Sequence, residues 1–145
     1  MLPEFNQNGD LPPGVYPIDL DEAIRRFGNG NPQRQAVTDR LRRIYDLAQR
    51  TGAVQQVLVF GSYVTDKSAP NDVDIVLIMQ NGFSVTDCLE DAKRLFDHEQ
   101  ADQEFGASIF WIRPSLLILE TLEEFVAHWQ VKRDKTRRGI LEIIP

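Results

Sequence analysis

The sequence predicts a mixed α/β (α+β) domain whose central sheet of about four strands is flanked by helices. Three observations carry that prediction. Two short apolar runs, "VQQVLVF" from Val54 and "VDIVLIM" from Val73, are rich in β-branched residues and have the length of strands. Stretches with apolar residues at helical spacing stand before and after them, so helix and strand alternate along the chain. At 145 residues the chain fits one domain, residues 1–145.

Residues 1–17, rich in Pro, Gly and Asn, read as an extended N-terminal arm lying across the surface. Asp19 caps a short helix through Phe27, and Gly28 is expected to end it in a left-handed conformation. Asn31-Pro32 starts the second helix, with a capping side chain followed by proline where its missing N–H costs nothing. Val37, Leu41, Ile44 and Ala48 line one face of that helix and send most of its arginines outward, and Thr51-Gly52 ends it. The two apolar runs follow as central, buried strands. Asn81-Gly82 breaks the second of them. Ser84 or Thr86 then caps a helix with Val85, Leu89, Ala92 and Phe96 as its buried stripe. "ASIFWI", after Gly106, is a third strand, stopped by Pro114. Thr121 to Glu124 has the capping-box pattern, and Leu122, Phe125, Val126 and Trp129 continue a last helix with an apolar face. Residues 132–145 form a basic C-terminal segment closing in "ILEII", a candidate edge strand.

Hydrophobic residues at 42% and charged residues at 26% are ordinary globular values and argue against disorder. The apolar runs are too short to span a bilayer, and "MLPEFNQNGDLPPG" lacks the basic start and apolar core of a signal peptide. A soluble, cytoplasmic protein with no membrane contact is the expectation. Cys88 is the single cysteine, which excludes an intramolecular disulfide and a cysteine metal cluster and reads as a buried structural thiol. The net charge of −6 argues against nucleic-acid binding by the surface as a whole. Two basic clusters remain, one on the second helix (Arg34, Arg40, Arg42, Arg43, Arg50) and one in "KRDKTRR" from Lys132 to Arg138; both read first as solvated faces. His98 and His128 read as helix-end histidines, and Trp111 and Trp129 as packing residues before base-stacking platforms.

The chemistry concentrates in "FGSYVTDKSAPNDVDIVLI", from Phe60 to Ile78. Strand side chains alternate, so Asp72 and Asp74 share one face while Val73 and Ile75 take the other. Two neighbouring carboxylates repel, and a divalent cation between them turns that repulsion into binding. Hard oxygen ligands suit Mg²⁺, which takes its remaining ligands from water and substrate phosphates. Gly61-Ser62, at the exit of the preceding strand, lets backbone amides and a hydroxyl form a small anion-binding concavity, to which Lys67 adds a point charge.

Phe60, Gly61 and Ser62, then the nine residues Tyr63 to Asn71, then Asp72, Val73, Asp74 and Ile75 form a pattern without a gap. It resembles the DNA polymerase β-like nucleotidyltransferase superfamily, in its minimal bacterial branch. That family's signature is an apolar residue, Gly, Gly or Ser, a loop of about this length, then Asp, apolar, Asp or Glu, apolar. The resemblance implies that family's fold and a Mg²⁺ (or Mn²⁺) dependent transfer of a nucleotide from a nucleoside triphosphate to a hydroxyl acceptor, whether protein, RNA or small molecule. It assigns Asp72 and Asp74 as catalytic metal ligands and Gly61 and Ser62 as the triphosphate site; Lys67 is added from the charge of the loop itself. Active members carry a third carboxylate on a later strand; "ASIFWI" has none, and Ser108 stands at the expected place, with Glu104 or Glu142 the remaining sources of an acid. The alternative is therefore a catalytically degenerate binding or regulatory module, such as a toxin–antitoxin component with a protein partner or a homodimer. A third reading is an RNA-binding accessory using the two basic clusters.

Overall fold

The computed structural model describes residues 2–145. The strands are β1 (Val15–Asp19), β2 (Val54–Phe60), β3 (Asp74–Met79), β4 (Ser108–Ile112) and β5 (Ile140–Ile144). The helices are α1 (Leu20–Phe27), α2 (Pro32–Arg50), α3 (Glu90–Lys93), α4 (His98–Phe105) and α5 (Leu122–His128). Together they make a mixed α+β structure around one five-stranded sheet in the order β1-β5-β2-β3-β4. β2 runs antiparallel to both β3 and β5, whereas β1 pairs parallel with β5 and β3 parallel with β4.

Alternation along the strands sorts the core onto two faces. Val57, Val59, Ile75, Leu77 and Ile109 point into the larger cluster, built with Val37, Leu41 and Ile44 of α2 and with Phe27, Leu95 and Phe105. Leu58, Val76, Ile78 and Ile140 point the other way, under Val126 of α5. The register sets Phe60 beside Asp74, and Asp74 beside Ser108, in one row across three strands at the sheet's end.

Three of the expected helix starts are where the sequence places them, whereas neither Ser84 nor Thr86 caps a helix and their hydroxyls bond each other instead. Asp19 accepts from the Glu22 amide, Asn31 from the Arg34 amide with Pro32 at the first turn, and Thr121 and Glu124 form the reciprocal capping box. β2 and β3 are interior strands, as their apolar character requires.

Several expectations are corrected. The sheet has five strands rather than four, because the last residues of the expected 1–17 arm and the two after it form β1. Pro17 is tolerated there because β1 lies at the sheet edge, where one side needs no ladder donor. The closing "ILEII" is interior, between β1 and β2, so the C-terminal segment does not supply an edge strand. The helix expected through Phe96 breaks into the short α3 flanked by 3₁₀ turns, and α4 follows; its N-cap Asp97 accepts from the Gln100 amide. Leu89, expected in a buried stripe, is exposed. Gly28 is right-handed, with φ −84°, and an added Cβ there would lie 2.7 Å from the Ile24 carbonyl oxygen. Cys88 is only partly buried at the margin of the core. Among the described residues no helix is long and apolar enough to cross a membrane.

Candidate functional site

The turn after β2 is built around Gly61. Its φ of +82° disfavours any residue with a side chain, and a Cβ at this position would lie 1.9 Å from Asp74 Oδ2. The backbone of the Gly-Ser turn therefore lies directly against the β3 carboxylate. Ser62 to Val64 continue as a 3₁₀ turn, which Thr65 closes by donating from Oγ1 to the Ser62 carbonyl at 2.6 Å.

A buried arginine holds this loop in shape. Arg34, on α2, is 6% exposed and points inward, unlike its helical neighbours. Its guanidinium donates to the carbonyls of Phe27, Tyr63, Thr65 and Lys67. A planar fork with five donors suits several carbonyls converging from one loop. Beneath it the fully buried Tyr63 hydroxyl hydrogen-bonds Thr38 Oγ1 at 2.7 Å.

A cleft of about 770 Å³ opens above the row of Phe60, Asp74 and Ser108. Gly61, Ser62 and Lys67 line one side, so the structure brings together four of the five residues singled out in the sequence. The fifth, Asp72, does not line the cleft, but its charge reaches Asp74. Burial, followed by that repulsion, pushes the Asp74 carboxyl up to about 6, against the pull of Arg138, Ser108 and Arg133.

The other side of the cleft is the basic segment, which is not a free solvated tail. Val131 and Arg137 bridge across a tight turn, in which the Lys132 amide donates to the Thr136 carbonyl and the Lys135 amide to that of Lys132. Lys132, Arg133 and Arg138 line the cleft opposite Gly61 and Ser62. Asp10 fixes the arrangement: at 4% exposed, it accepts from Lys132 Nζ at 2.9 Å and stands 3.5 Å from Arg138 Nη1. The same arm pairs Asp10 with Thr65 and takes the Asp66 amide on the Gly9 carbonyl, so it ties the Gly-Ser loop to the basic turn. Nothing in the local pattern of "NGDLPPG" marks this carboxylate; the signal was a lone acid in an otherwise uncharged stretch. Replacing Asp10 by Ala leaves two cations without their buried partner and is expected to cost roughly 3 kcal/mol. A denaturant titration reads this as a lower midpoint at unchanged slope.

The remaining candidates lie elsewhere. Glu104 is held by Arg43 at 3.1 Å and Arg94 at 3.2 Å on the surface, and Glu142 accepts from Gln56 Nε2 at 3.0 Å on β5. Neither lines the cleft. His98 begins α4 rather than ending a helix, its Nδ1 lies 3.1 Å from the Ile109 carbonyl, and its ring packs against Phe110. His128 ends α5. Trp111 donates to the Phe96 carbonyl and packs with Phe83 and Phe96, as a core residue does. Trp129 instead lines the cleft.

Asp74 yields a pH prediction. Because its folded-state pKa is raised, the stabilisation is fully present below the ordinary carboxylate value and is lost as pH rises through about 6. In metal-free buffer, Asp74→Asn is therefore expected to melt higher than the wild type at pH 7–8, with the difference shrinking toward pH 4. Equal melting shifts at both pH values would refute the assignment.

These elements define a class: a mixed α+β domain whose end-of-sheet cleft is lined by a partly buried carboxylate, a glycine-serine turn and a basic turn. The chain belongs to a family of unknown function (DUF6932), whose model matches residues 3–144. No curated protein and no solved structure matches it.

Proposed function

We propose that this cleft binds a nucleoside triphosphate with Mg²⁺ or Mn²⁺, in a fold of the DNA polymerase β-like nucleotidyltransferase type, and transfers the nucleotide to a hydroxyl acceptor. One observation carries the reading: the pairing of Phe60 with Asp74, which lays the Gly61 backbone against the Asp74 carboxylate. Sequence motif and geometry thus converge on one cleft.

The donor set suits a hard divalent ion. Asp74 is a partly buried carboxylate raised by burial and then by its neighbour Asp72, the situation in which a cation replaces a proton. No group of three or more His, Cys, Asp or Glu side chains converges among the described residues; Asp74 would be the ligand inside the cleft, with Asp72 two residues before it in the chain and phosphate oxygens completing the ion's shell. A bound ion of this kind supplies charge neutralisation of the phosphates and of the leaving pyrophosphate. The chain's own contributions are separate. Gly61 and Ser62 offer backbone amides and a hydroxyl to the phosphates, Lys67 and Arg133 add positive charge, and Arg34 holds the loop rigid so that little ordering is needed on binding.

A second reading is favoured by Ser108, which the register sets directly beside Asp74 where a third carboxylate is expected. A hydroxyl is a weaker ligand for a hard cation than a carboxylate. On this reading the protein is a nucleotide-binding regulatory module that acts on a protein partner without turnover.

Incubation with each of the four α-labelled ribonucleoside triphosphates and Mg²⁺ or Mn²⁺, in the presence of cell extract, separates the two. Transfer of label to the protein or to an extract component, lost in Asp74→Ala, is expected for the enzyme. Nucleotide binding without labelling by any triphosphate establishes the module, and binding of neither nucleotide nor metal refutes both.

A further inference from the structure

Part of the cleft lining is aromatic. Phe60 ends β2, Phe110 lies on β4 two residues beyond Ser108, and Trp129 follows α5; all three line the cavity that holds Asp74, Lys132 and Arg133. Their ring centroids are 4.8 Å apart for Phe60 and Trp129, 5.2 Å for Phe110 and Trp129, and 6.4 Å for Phe60 and Phe110. They form one continuous wall. His98 also packs on Phe110, at 4.8 Å with the rings tilted by 31°.

Two features distinguish this wall from ordinary packing beneath α5. Phe110, on the edge strand β4, remains 39% exposed in a cavity that Lys132, Arg133 and Arg138 also line. Trp129 Nε1 is shielded from solvent and has no acceptor among the described residues, whereas buried indole N–H groups ordinarily find one. A flat ring on Phe110, with anionic groups reaching toward Ser62 and Lys132, satisfies both the aromatic and the cationic sides of one cavity.

We infer that the Phe60–Phe110–Trp129 wall is the seat of a nucleobase, and that the ligand is recognised by stacking on Phe110 as well as by its phosphates. This rests on the proposed nucleotide site and extends it to the base. Stacking accepts any base, because every base has a π face, so the wall confers preference for a nucleoside triphosphate over a bare polyphosphate rather than for one base.

The test is calorimetric titration of the full chain in Mg²⁺ with ATP, GTP, CTP, UTP and inorganic tripolyphosphate, repeated with Phe110→Ala and Phe110→Leu. Leu keeps apolar bulk at this partly exposed site and removes the π face, so a folding defect in the Ala variant does not decide the outcome. The inference expects nucleoside triphosphates to bind at least about tenfold tighter than tripolyphosphate. It expects Phe110→Leu to erase most of that advantage while tripolyphosphate affinity changes less than about twofold. Tripolyphosphate binding as tightly as the nucleotides, with no effect of either variant, overturns the base seat and leaves the phosphate and metal site standing. Binding of neither class of ligand overturns both.

Discussion

Asp72→Asn combined with Asp74→Asn is expected to abolish Mg²⁺-dependent triphosphate binding, a loss of more than about 100-fold, because both hard anionic ligands become neutral amides of nearly the same shape. Calorimetric titration in Mg²⁺, set against titration in EDTA, reads the effect: the wild type is expected to gain affinity from the ion and the double variant to gain none. Folding is not the casualty. Removing a raised carboxylate and its repelling neighbour relieves a cost, so the double variant should melt no lower than the wild type at pH 7–8. A variant that unfolds, or one that keeps its Mg²⁺ response, refutes the assignment of these two residues.

Gly61→Ala is expected to remove binding through a different route. The backbone alone, with φ +82° and ψ −165° in a region essentially confined to glycine, costs an alanine roughly 1–3 kcal/mol. The more damaging consequence is local: the new methyl meets Asp74 Oδ2 at 1.9 Å, and since that oxygen ends a movable side chain, the carboxylate rotates away instead of the sheet opening. Stability should therefore fall modestly while triphosphate affinity collapses. A double-mutant cycle isolates the contact, because in an Asp74→Ala background the clash is gone and Gly61→Ala should cost only its backbone share. Additive losses of stability in that cycle would show that Gly61 does not press on Asp74.

Much of the architecture was legible because it is written over a few consecutive residues. An N-cap satisfies amides two or three residues away, so Asp19, Asn31 and Thr121 announce their helices without help from the rest of the chain. Likewise residues 57–60 of β2 and 75–79 of β3 are unbroken apolar runs because both faces of the sheet are covered there. The helix expected through Phe96 failed where a periodic apolar stripe outweighed a second start, Asp97 with the Gln100 amide, only a few residues on. β1 was missed for a longer-range reason. "VYPID" contains a proline that argues against a strand, and its only partner, β5, lies at the far end of the chain.

For the site, Gly61, Ser62, Asp72 and Asp74 were marked by sequence because a turn and an alternating strand start carry their own spacing. Their convergence was not, because it depends on β2 and β3 pairing in the register that sets Phe60 against Asp74. Arg34 looked like one more arginine on a solvated helix face, and only burial under the 63–67 loop gives it a role.

By itself, then, the sequence determined the starts of α1, α2 and α5, the two central strands and the residue types at the turn and the strand mouth, since each follows from steric and hydrogen-bonding rules acting over a few residues. Tertiary structure alone decided that an acid at position 10 would hold Lys132 and Arg138, that the basic turn would face the Gly-Ser loop, and that Phe60, Phe110 and Trp129 would share a wall. Those pairings join parts of the chain up to 128 residues apart. Charge attraction and apolar burial act through space, and the chain must be folded before either has a direction.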